Sequence, residues 1–265
     1  GVYSSIYVDS NDNVHIVYLV SREVYPWGGT SNILSYATCS SSCATSSWTK
    51  TDINRQYTQD RRLFDLTIDS NDNLHFVYIK DYDDLWYVTC SSSCSSSSSW
   101  SHRMIDAGDS YSPSIALSSN GRIHISYTGD STKDLKHATC YSSCSTSSSS
   151  WTITTVEAGN YSSGSSNYYS MSSPSIGIDS NGVKHIAYLK YTRSTSSSGT
   201  STYSHTYVLK YARCSSSYCT SASSWTNATI DDKTTISYQG SLEIDSNDNI
   251  HIFYRDHGNT WNHSK

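Results

Sequence analysis

The stretch that decides the fold is Ile6-Tyr-Val-Asp-Ser-Asn-Asp-Asn-Val-His-Ile-Val-Tyr18. Closely similar stretches occupy residues 66–78, 115–127, 176–188 and 242–254. A unit that returns every roughly 50 to 65 residues is typical of repeat architectures, in which each copy forms one supersecondary element. The chain is therefore predicted to be a repeat protein.

Each repeat contains four predicted strands. A short apolar alternation is followed by a Ser-Asn turn, and then by a second strand of the form His-Ile-x-Tyr. The third strand reads Leu34-Ser-Tyr-Ala-Thr in the first repeat, and the fourth begins at Trp48. Antiparallel strands in fours, with no helical periodicity, predict an all-β, five-bladed β-propeller. We expect one propeller domain over 1–265, with repeats near 6–53, 66–105, 115–156, 176–230 and 242–265.

The last repeat is predicted to be incomplete. It supplies two strands and a third near Trp261, but the sequence after them holds neither a cysteine pair nor a fourth strand. A missing outer strand leaves unpaired backbone groups that a second chain can complete. We therefore predict an assembly edge made of terminal residues: Gly1, Val2, Tyr3, Trp261 and His263.

The cysteines indicate the compartment. They occur in close pairs at one place in the repeat, which predicts one local disulfide per blade hairpin: Cys39 with Cys43, Cys90 with Cys94, Cys140 with Cys144 and Cys214 with Cys219. Zinc is the alternative, but it needs four converging ligands and these pairs belong to separate blades. Paired cysteines are typical of an oxidising, extracellular location.

One histidine recurs at the same position of every repeat: His15, His75, His124, His185 and His251. A ring of metal-binding histidines along the axis is one interpretation. The other is an imidazole packed between blades and hydrogen-bonded to backbone, and we favour it because a site made by one blade seldom needs five copies. The turn at Asp9 resembles a calcium loop but lacks its glycine and its terminal glutamate. No metal and no cofactor are predicted.

Composition limits the partners. A formal net charge of −5 without a basic block argues against nucleic acid, and no apolar run is long enough to span a membrane. Tyrosine and tryptophan are abundant, and such rings stack on sugars in carbohydrate sites. Three sequons predict N-glycan acceptors at Asn160, Asn227 and Asn262.

The repeats resemble those of secreted bacterial and archaeal β-propellers of the sialidase-like, Asp-box type. The Asp-box pattern Ser/Thr-x-Asp-x-Gly-x-x-Trp is itself absent from these turns. The sialidase family implies an arginine cluster, a tyrosine nucleophile and an acidic partner, yet no arginine recurs at one blade position. A glycosidase would instead need two carboxylates about 5 to 10 Å apart. The candidates Asp65, Asp106, Glu157, Asp231 and Glu243 show no spacing that singles out a pair.

From these observations we predict a non-catalytic extracellular structural protein that assembles with copies of itself into a fibre or surface layer. A glycan-binding, lectin-like propeller module of a larger surface protein is the alternative, with Tyr and Trp of the loop-rich face as its site. A glycoside hydrolase is the third hypothesis.

Overall fold

The computed structural model describes residues 4–24, 29–40, 42–45, 48–56, 64–80, 83–108, 110–129, 131, 133–161, 167–195, 203–232, 236–256 and 261–265. Within them the chain forms five antiparallel sheets, one for each predicted blade. None of the helical segments in these ranges has the length and apolar character that crossing a bilayer requires.

The strands of each blade follow one another in the sheet in sequence order. The first blade consists of β1 (Ser4–Val8), β2 (Val14–Val24), β3 (Gly29–Cys39) and β4 (Thr49–Gln56). The second consists of β5 (Phe64–Ile68), β6 (Leu74–Lys80), β7 (Asp84–Cys90) and β8 (Ser101–Asp106). The third consists of β9 (Ser110–Leu117), β10 (Ile123–Gly129), β11 (Leu135–Cys140) and β12 (Thr152–Glu157).

The last two blades differ from the first three. The fourth has long strands, β13 (Tyr168–Ile178), β14 (Lys184–Thr195), β15 (Tyr203–Cys214) and β16 (Thr226–Asp231). The fifth contains three strands in the described residues, β17 (Ile236–Ile244), β18 (Ile250–Asp256) and β19 (Trp261–Ser264). The prediction of an all-β, five-bladed propeller is confirmed.

The hairpin turns form as the sequence predicts. Gly121 and Gly182 have positive φ values of 79° and 75°. In the other three blades an aspartate takes the place of this glycine, and Asp12, Asp72 and Asp248 each have a φ of 61°. Asp tolerates the left-handed conformation better than most residues. A first aspartate closes the turn, since both backbone N–H groups of Asn11 and Asn13 donate to Asp9 Oδ1 at 2.9 and 2.8 Å.

Four disulfides are present, and each joins the two cysteines of one predicted pair. The fifth blade has none, so the prediction of one disulfide in every blade is corrected. In the first three blades the bridged loop is also held by the tryptophan that opens the next strand, because the indole N–H donates to the second cysteine's carbonyl: Trp48 to Cys43, Trp100 to Cys94 and Trp151 to Cys144. The buried indole N–H of Trp225 in the fourth blade makes no such bond. Four disulfides fit an extracellular protein.

Successive blades pack through one aromatic contact. A third-strand ring contacts the tryptophan of the following blade, with centroid separations of 5.3 Å for Tyr36–Trp100, 5.3 Å for Tyr87–Trp151 and 5.1 Å for His137–Trp225. The first and third pairs are edge-on and the second is tilted. Aromatic pairs at this distance add about 0.5–1.5 kcal/mol beyond burial. Trp100, Trp151 and Trp225 are therefore core residues, whereas Trp48 is partly buried.

The seam between the fifth and first blades is different. The first-strand apolar residue is 4–5% exposed in four blades, at Leu66, Ile115, Ile176 and Leu242, whereas Ile6 is 63% exposed. Phe253 of the fifth blade is 44% exposed, while its counterpart Val17 is fully buried. Apolar burial between blades is thus weakest at this seam.

The repeated histidines bridge a turn and the third strand. Each Nε2 lies 3.1–3.3 Å from the first aspartate of its own turn in four blades: His15 with Asp9, His75 with Asp69, His185 with Asp179 and His251 with Asp245. The Nδ1 atom then accepts a hydrogen bond from a third-strand residue. For His15, His75 and His185 the donor is a tyrosine hydroxyl at 2.6–2.7 Å. For His251 it is the imidazole of His263 at 2.9 Å. The partners are side chains and not the backbone groups that the sequence suggested.

The third blade breaks this pattern. Ser118 replaces the aspartate, and the third-strand residue is His137, whose Nε2 lies 3.0 Å from His124 Nδ1. Burial, followed by the positive charge of the partner imidazole and Lys184, lowers the pKa of His124 to about 2. Burial and Lys184 lower the pKa of His137 to about 3. Both imidazoles are therefore neutral in the folded protein.

This pair makes the stability of the protein depend on pH. Unfolded histidines titrate near 6.5, so the unfolded chain binds two more protons than the folded chain once the pH falls below that value. The pair's contribution is full above pH ~6.5 and decreases toward acid. The variant His137→Tyr has the tyrosine that three other blades have at this position, and it removes one of the two buried neutral histidines. We therefore expect the slope of the free energy of unfolding against pH to fall by about 1.4 kcal/mol per pH unit between pH ~6 and ~4.

Urea unfolding at a series of pH values measures this slope. His205→Gln, a change at an exposed histidine, is the control and should leave it unaltered. Equal slopes for His137→Tyr and the unsubstituted protein would contradict the assignment of a neutral buried pair.

Candidate functional site: an axial cavity with two carboxylates

The innermost strands β1, β5, β9, β13 and β17 surround a cavity of about 780 Å³ on the propeller axis. Serines make up much of its wall, including Ser5, Ser114, Ser175 and Ser241. These four occupy one repeat position, directly before the first apolar residue of the inner strand. A polar cavity of this size can accommodate a ligand of a few sugar units.

Side chains at this position join neighbouring inner strands. Ile176 N donates to Ser114 Oγ at 3.3 Å, and Leu242 N donates to Ser175 Oγ at 3.0 Å. In the second blade the same position is Asp65, whose Oδ2 accepts from Ile115 N at 3.0 Å. A serine hydroxyl is sufficient to accept this hydrogen bond from the next inner strand in the blades of Ser114 and Ser175. A carboxylate at Asp65 is therefore not required by the packing of the strands.

Asp65 is a partly buried acid in the cavity wall. Burial is the largest influence and raises the pKa of Asp65, although hydrogen bonds from Ile115 N, the Ser114 hydroxyl and Leu66 N act in the opposite direction. The negative charge of Glu243 raises the pKa further. Asp65 therefore keeps its proton to a higher pH than an ordinary aspartate.

Glu243 is the second carboxylate that lines the cavity. Its side chain is exposed, and the Ser241 hydroxyl donates to Oε1 at 3.1 Å. The equivalent residues of the other blades are uncharged: Tyr7, Thr67, Ala116 and Gly177. The two residues lie 178 positions apart in the sequence, so only the closing of the ring brings them to one cavity.

The three other candidate carboxylates have a different place. Asp106, Glu157 and Asp231 each end the fourth strand of a blade and accept a hydrogen bond from a second-strand tyrosine of the next blade: Tyr127 to Asp106, Tyr188 to Glu157 and Tyr254 to Asp231. Lysines of the following blade support two of them, Lys136 at Asp106 and both Lys190 and Lys210 at Glu157. They are inter-blade clamps at three separate seams.

These clamps should contribute to stability. Tyr127→Phe removes a hydroxyl that donates to the Asp106 carboxylate at 2.8 Å, and we expect the free energy of unfolding to fall by about 1.5–3 kcal/mol. Urea unfolding at neutral pH measures the loss. Tyr141→Phe, at a 59% exposed ring, is the matched control and should cost less than about 0.5 kcal/mol. Similar values for the two variants would contradict the clamp.

A second feature lies where β13 begins. Strands β13, β14 and β15 continue beyond the length of the other blades, and we call the portion made of residues 168–170, 191–195 and 203–207 the blade-4 extension. Its alternation puts one set of side chains on a single face, namely Tyr168, Tyr191, Arg193, Tyr203, His205 and Tyr207. The sequence suggested longer loops at 158–173 and 192–204, but much of this length extends the sheet.

The blade-4 extension presents aromatic and cationic groups. The Arg193 guanidinium lies 3.7 Å from the centroid of Tyr203, and Tyr191 shares a hydrogen bond of 2.6 Å with His205 Nδ1. Desolvation, followed by the hydrogen bond and charge of Tyr168, raises the pKa of Tyr191 to about 12. Because β13 continues from the extension into the cavity wall, the two features are roughly 17 Å apart along one strand.

The remaining predicted sites are dispersed. Asn160 and Asn227 are exposed and Asn262 lies in β19, which leaves their glycosylation a prediction. His263 stacks on His251 and on Phe253. Gly1, Val2 and Tyr3 lie outside the described residues, as does the side chain of Trp261. The tryptophans Trp100, Trp151 and Trp225 are 6–7% exposed, so they are not available as sugar platforms.

No protein-family model matches the sequence, and no curated protein matches it. Its fold is similar to that of an ulvan lyase from a new polysaccharide lyase family, with 9% identity and a TM-score of 0.65 over 94% of this chain and 63% of the other. An α-L-arabinofuranosidase of Fusarium graminearum in complex with an iminosugar inhibitor matches with 12% identity and a TM-score of 0.56, over 99% of this chain and 80% of the other.

These similarities establish a five-bladed propeller fold whose structural neighbours are glycoside hydrolase and lyase propellers. The chain spans less than two thirds of the length of the ulvan lyase. The prediction of a non-catalytic structural protein that forms a fibre or surface layer is wrong, because the proteins that share the fold are carbohydrate-active enzymes. The prediction that the chain is not an enzyme is corrected for the same reason.

Proposed function

We propose that the chain is a glycan-processing enzyme that cleaves a glycosidic bond in its axial cavity. The observation that carries the proposal is that Asp65 and Glu243, at positions where the other blades have serine or an uncharged residue, line the same cavity. In a repeat protein the residues that recur in every blade are explained by the structure that all blades share. A residue that differs at such a position is not explained in this way. Two such departures, both carboxylates, point to chemistry.

Asp65 is the proton donor in this proposal. Cleavage of a glycosidic bond by an acid requires a carboxyl group that is still protonated when the substrate binds, and burial together with Glu243 raises the pKa of Asp65. The carboxyl proton goes to the oxygen of the leaving sugar as the bond between that oxygen and the anomeric carbon breaks. A water molecule then adds to the anomeric carbon and returns a proton to Asp65. Glu243 is exposed to the cavity and acts as the ionised partner, which stabilises the positive charge that develops on the sugar ring.

The structural neighbours support the reaction class. The ulvan lyase and the arabinofuranosidase both act on glycans, and both share the propeller fold. Membership of the sialidase-like superfamily remains part of the proposal, as do secretion and the single domain over 1–265. The four disulfides and the exported relatives that the repeats resemble support them.

Turnover tests the proposal directly. The unsubstituted protein is incubated with arabinan, aryl arabinofuranosides and uronate-containing polysaccharides, and new reducing ends and unsaturated uronate products are measured separately. We expect Asp65→Ser to reduce kcat by about 10²–10⁴-fold, the usual contribution of a general acid, while the melting temperature changes little. Serine retains the acceptor that the neighbouring strand uses in the other blades.

Asp231→Asn is the matched control, because it removes a carboxylate from an inter-blade clamp and leaves the cavity unchanged. It should lower the melting temperature and preserve kcat. Full activity in Asp65→Ser would overturn the assignment of Asp65. A protein that binds these glycans but turns over none of them would instead support a glycan-binding module, for which the blade-4 extension with its exposed Tyr203 provides the site.

The pH profile gives a second prediction. Activity needs Asp65 protonated, so the rate should fall with rising pH through the raised pKa of Asp65. Glu243→Gln withdraws a negative charge that raises this pKa, so the basic limb of its residual activity should shift toward lower pH. Initial rates across pH 3–9 measure this limb. A basic limb that does not move would contradict the coupling of the two groups.

A further inference from the structure

A second set of departures from the repeat lies at the opposite end of the propeller, beside the turns and disulfide loops of blades three and four. Arg122 stands at the end of a turn where the other blades have Asn13, Asn73, Val183 and Asn249. Tyr141 follows the first cysteine of its loop, where the others have Ser40, Ser91 and Ser215. Tyr218 precedes the second cysteine, where the others have Ser42, Ser93 and Ser143.

These three residues meet. The Arg122 guanidinium carbon lies 5.0 Å from the ring centroid of Tyr141 and 4.7 Å from that of Tyr218. The rings remain 59% and 57% exposed, so each keeps a large part of its surface in contact with solvent. Such distances are those of cation–π pairs, which hold the guanidinium between the rings. We call this arrangement the Tyr-Arg-Tyr cluster.

The surroundings of the cluster are unusually positive. The turn 118–122 contains no carboxylate, since Ser118 and Gly121 replace the two aspartates found in the turns at Asp9 and Asp69. Lys184 occupies a position that is Val14, Leu74, Ile123 or Ile250 in the other blades and is 3% exposed. The nearby carboxylate of Asp179 is engaged by Asn181 N, Val183 N and His185.

The tyrosines are held in place before any ligand arrives. Both belong to disulfide loops, Tyr141 in Cys140–Cys144 and Tyr218 in Cys214–Cys219. Lys184 Nζ donates to the carbonyl oxygens of Ser216 and Ser217 at 3.1 and 3.2 Å, which fixes the backbone next to Tyr218. A binding surface that is already ordered loses less entropy on association.

We propose that the Tyr-Arg-Tyr cluster is a non-catalytic binding site for an anionic sugar of a polysaccharide. The apolar face of a sugar ring stacks on Tyr141 or Tyr218, and the carboxylate or sulfate of that sugar pairs with the Arg122 guanidinium, whose planar donors match an oxyanion. The site lies at the turn end of the propeller, away from the blade-4 extension. It would retain a long glycan on the protein while another segment of it enters the cavity.

Binding to acidic oligosaccharides tests this site in the intact chain. Calorimetric titrations use a sulfated, uronate-containing oligosaccharide, its carboxyl-reduced form, its desulfated form and the neutral backbone. The variant Arg122→Asn/Tyr141→Ser/Tyr218→Ser restores the residue types of the other blades and should fold. We expect it to bind the acidic oligosaccharide at least about tenfold more weakly, with a smaller dependence on salt.

Two variants separate the contributions. Arg122→Lys keeps the charge but not the planar donors, and should recover a part of the lost affinity. Lys50→Asn, which removes an exposed cation from β4 of the first blade, is the matched control and should leave this affinity unchanged. Loss of binding on carboxyl reduction identifies a uronate, and loss on desulfation identifies a sulfate.

Several results would overturn the site: equal affinity in the triple variant, equal binding of the neutral backbone, or no binding of any of the four oligosaccharides. Tighter binding of poly-glutamate than of the acidic sugars would also overturn it, in favour of an acidic protein partner. Turnover of a short soluble substrate should be unchanged in the triple variant. Failure of this site and failure of the proposed cavity are therefore distinguishable.

Discussion

The propeller depends on the contact between the ring of a third-strand residue and the tryptophan of the following blade. Each sheet buries one face against its predecessor and the other against its successor, and the contacts of Tyr36 with Trp100 and Tyr87 with Trp151 recur with the same 5.3 Å separation. The tryptophan also holds the disulfide loop through its indole N–H. One side chain thereby couples the seam between blades to the order of an exposed loop.

Three kinds of polar contact surround this aromatic contact, and each recurs in several blades. The histidine bridge ties a turn to the third strand, the inner-strand serine ties one blade to the next near the axis, and the fourth-strand carboxylate ties them farther out. These groups are buried or partly buried and pair with one another, as the cost of burying polar groups requires. The exception is the third blade, where Ser118 replaces the turn aspartate and His124 Nε2 is buried without a partner. None of them needs a ligand to explain it.

The sequence predicted the fold well because its signals are local and repeated. Strand alternation, the Asn-Gly turns at Gly121 and Gly182 and the cysteine pairs each concern neighbouring residues. The clamp role of Asp106 and Glu157 was not predicted, because it depends on tyrosines and lysines of the next blade that are distant in sequence. The cavity pair was not predicted either, because no spacing relates Asp65 to Glu243 before the ring forms. The alternation of Tyr203, His205 and Tyr207 indicates the face of the blade-4 extension, but no strand was predicted there.

The functional class was mistaken because the repeats share their structural residues, whereas the candidate sites consist of residues that the repeats do not share. Asp65, Tyr141 and Tyr218 each stand where the other blades have serine, and Arg122 and Glu243 are the charged residues at positions that are uncharged in the other blades. A shared residue is explained by the architecture that all copies must satisfy. An exception needs its own physical reason, and for these five residues the structure provides a cavity and an exposed cluster.

The exposed seam at Ile6 and Phe253 also determines how the molecule loses its structure. In a ring of equal interfaces, no blade can detach without breaking two contacts. Where one interface is weak, the molecule behaves as an open row of units in which each blade depends mainly on its nearest neighbours. Opening then starts from the first and fifth blades and proceeds toward the third, so amide protection is greatest in the middle of the chain and the cavity widens before the central blades unfold.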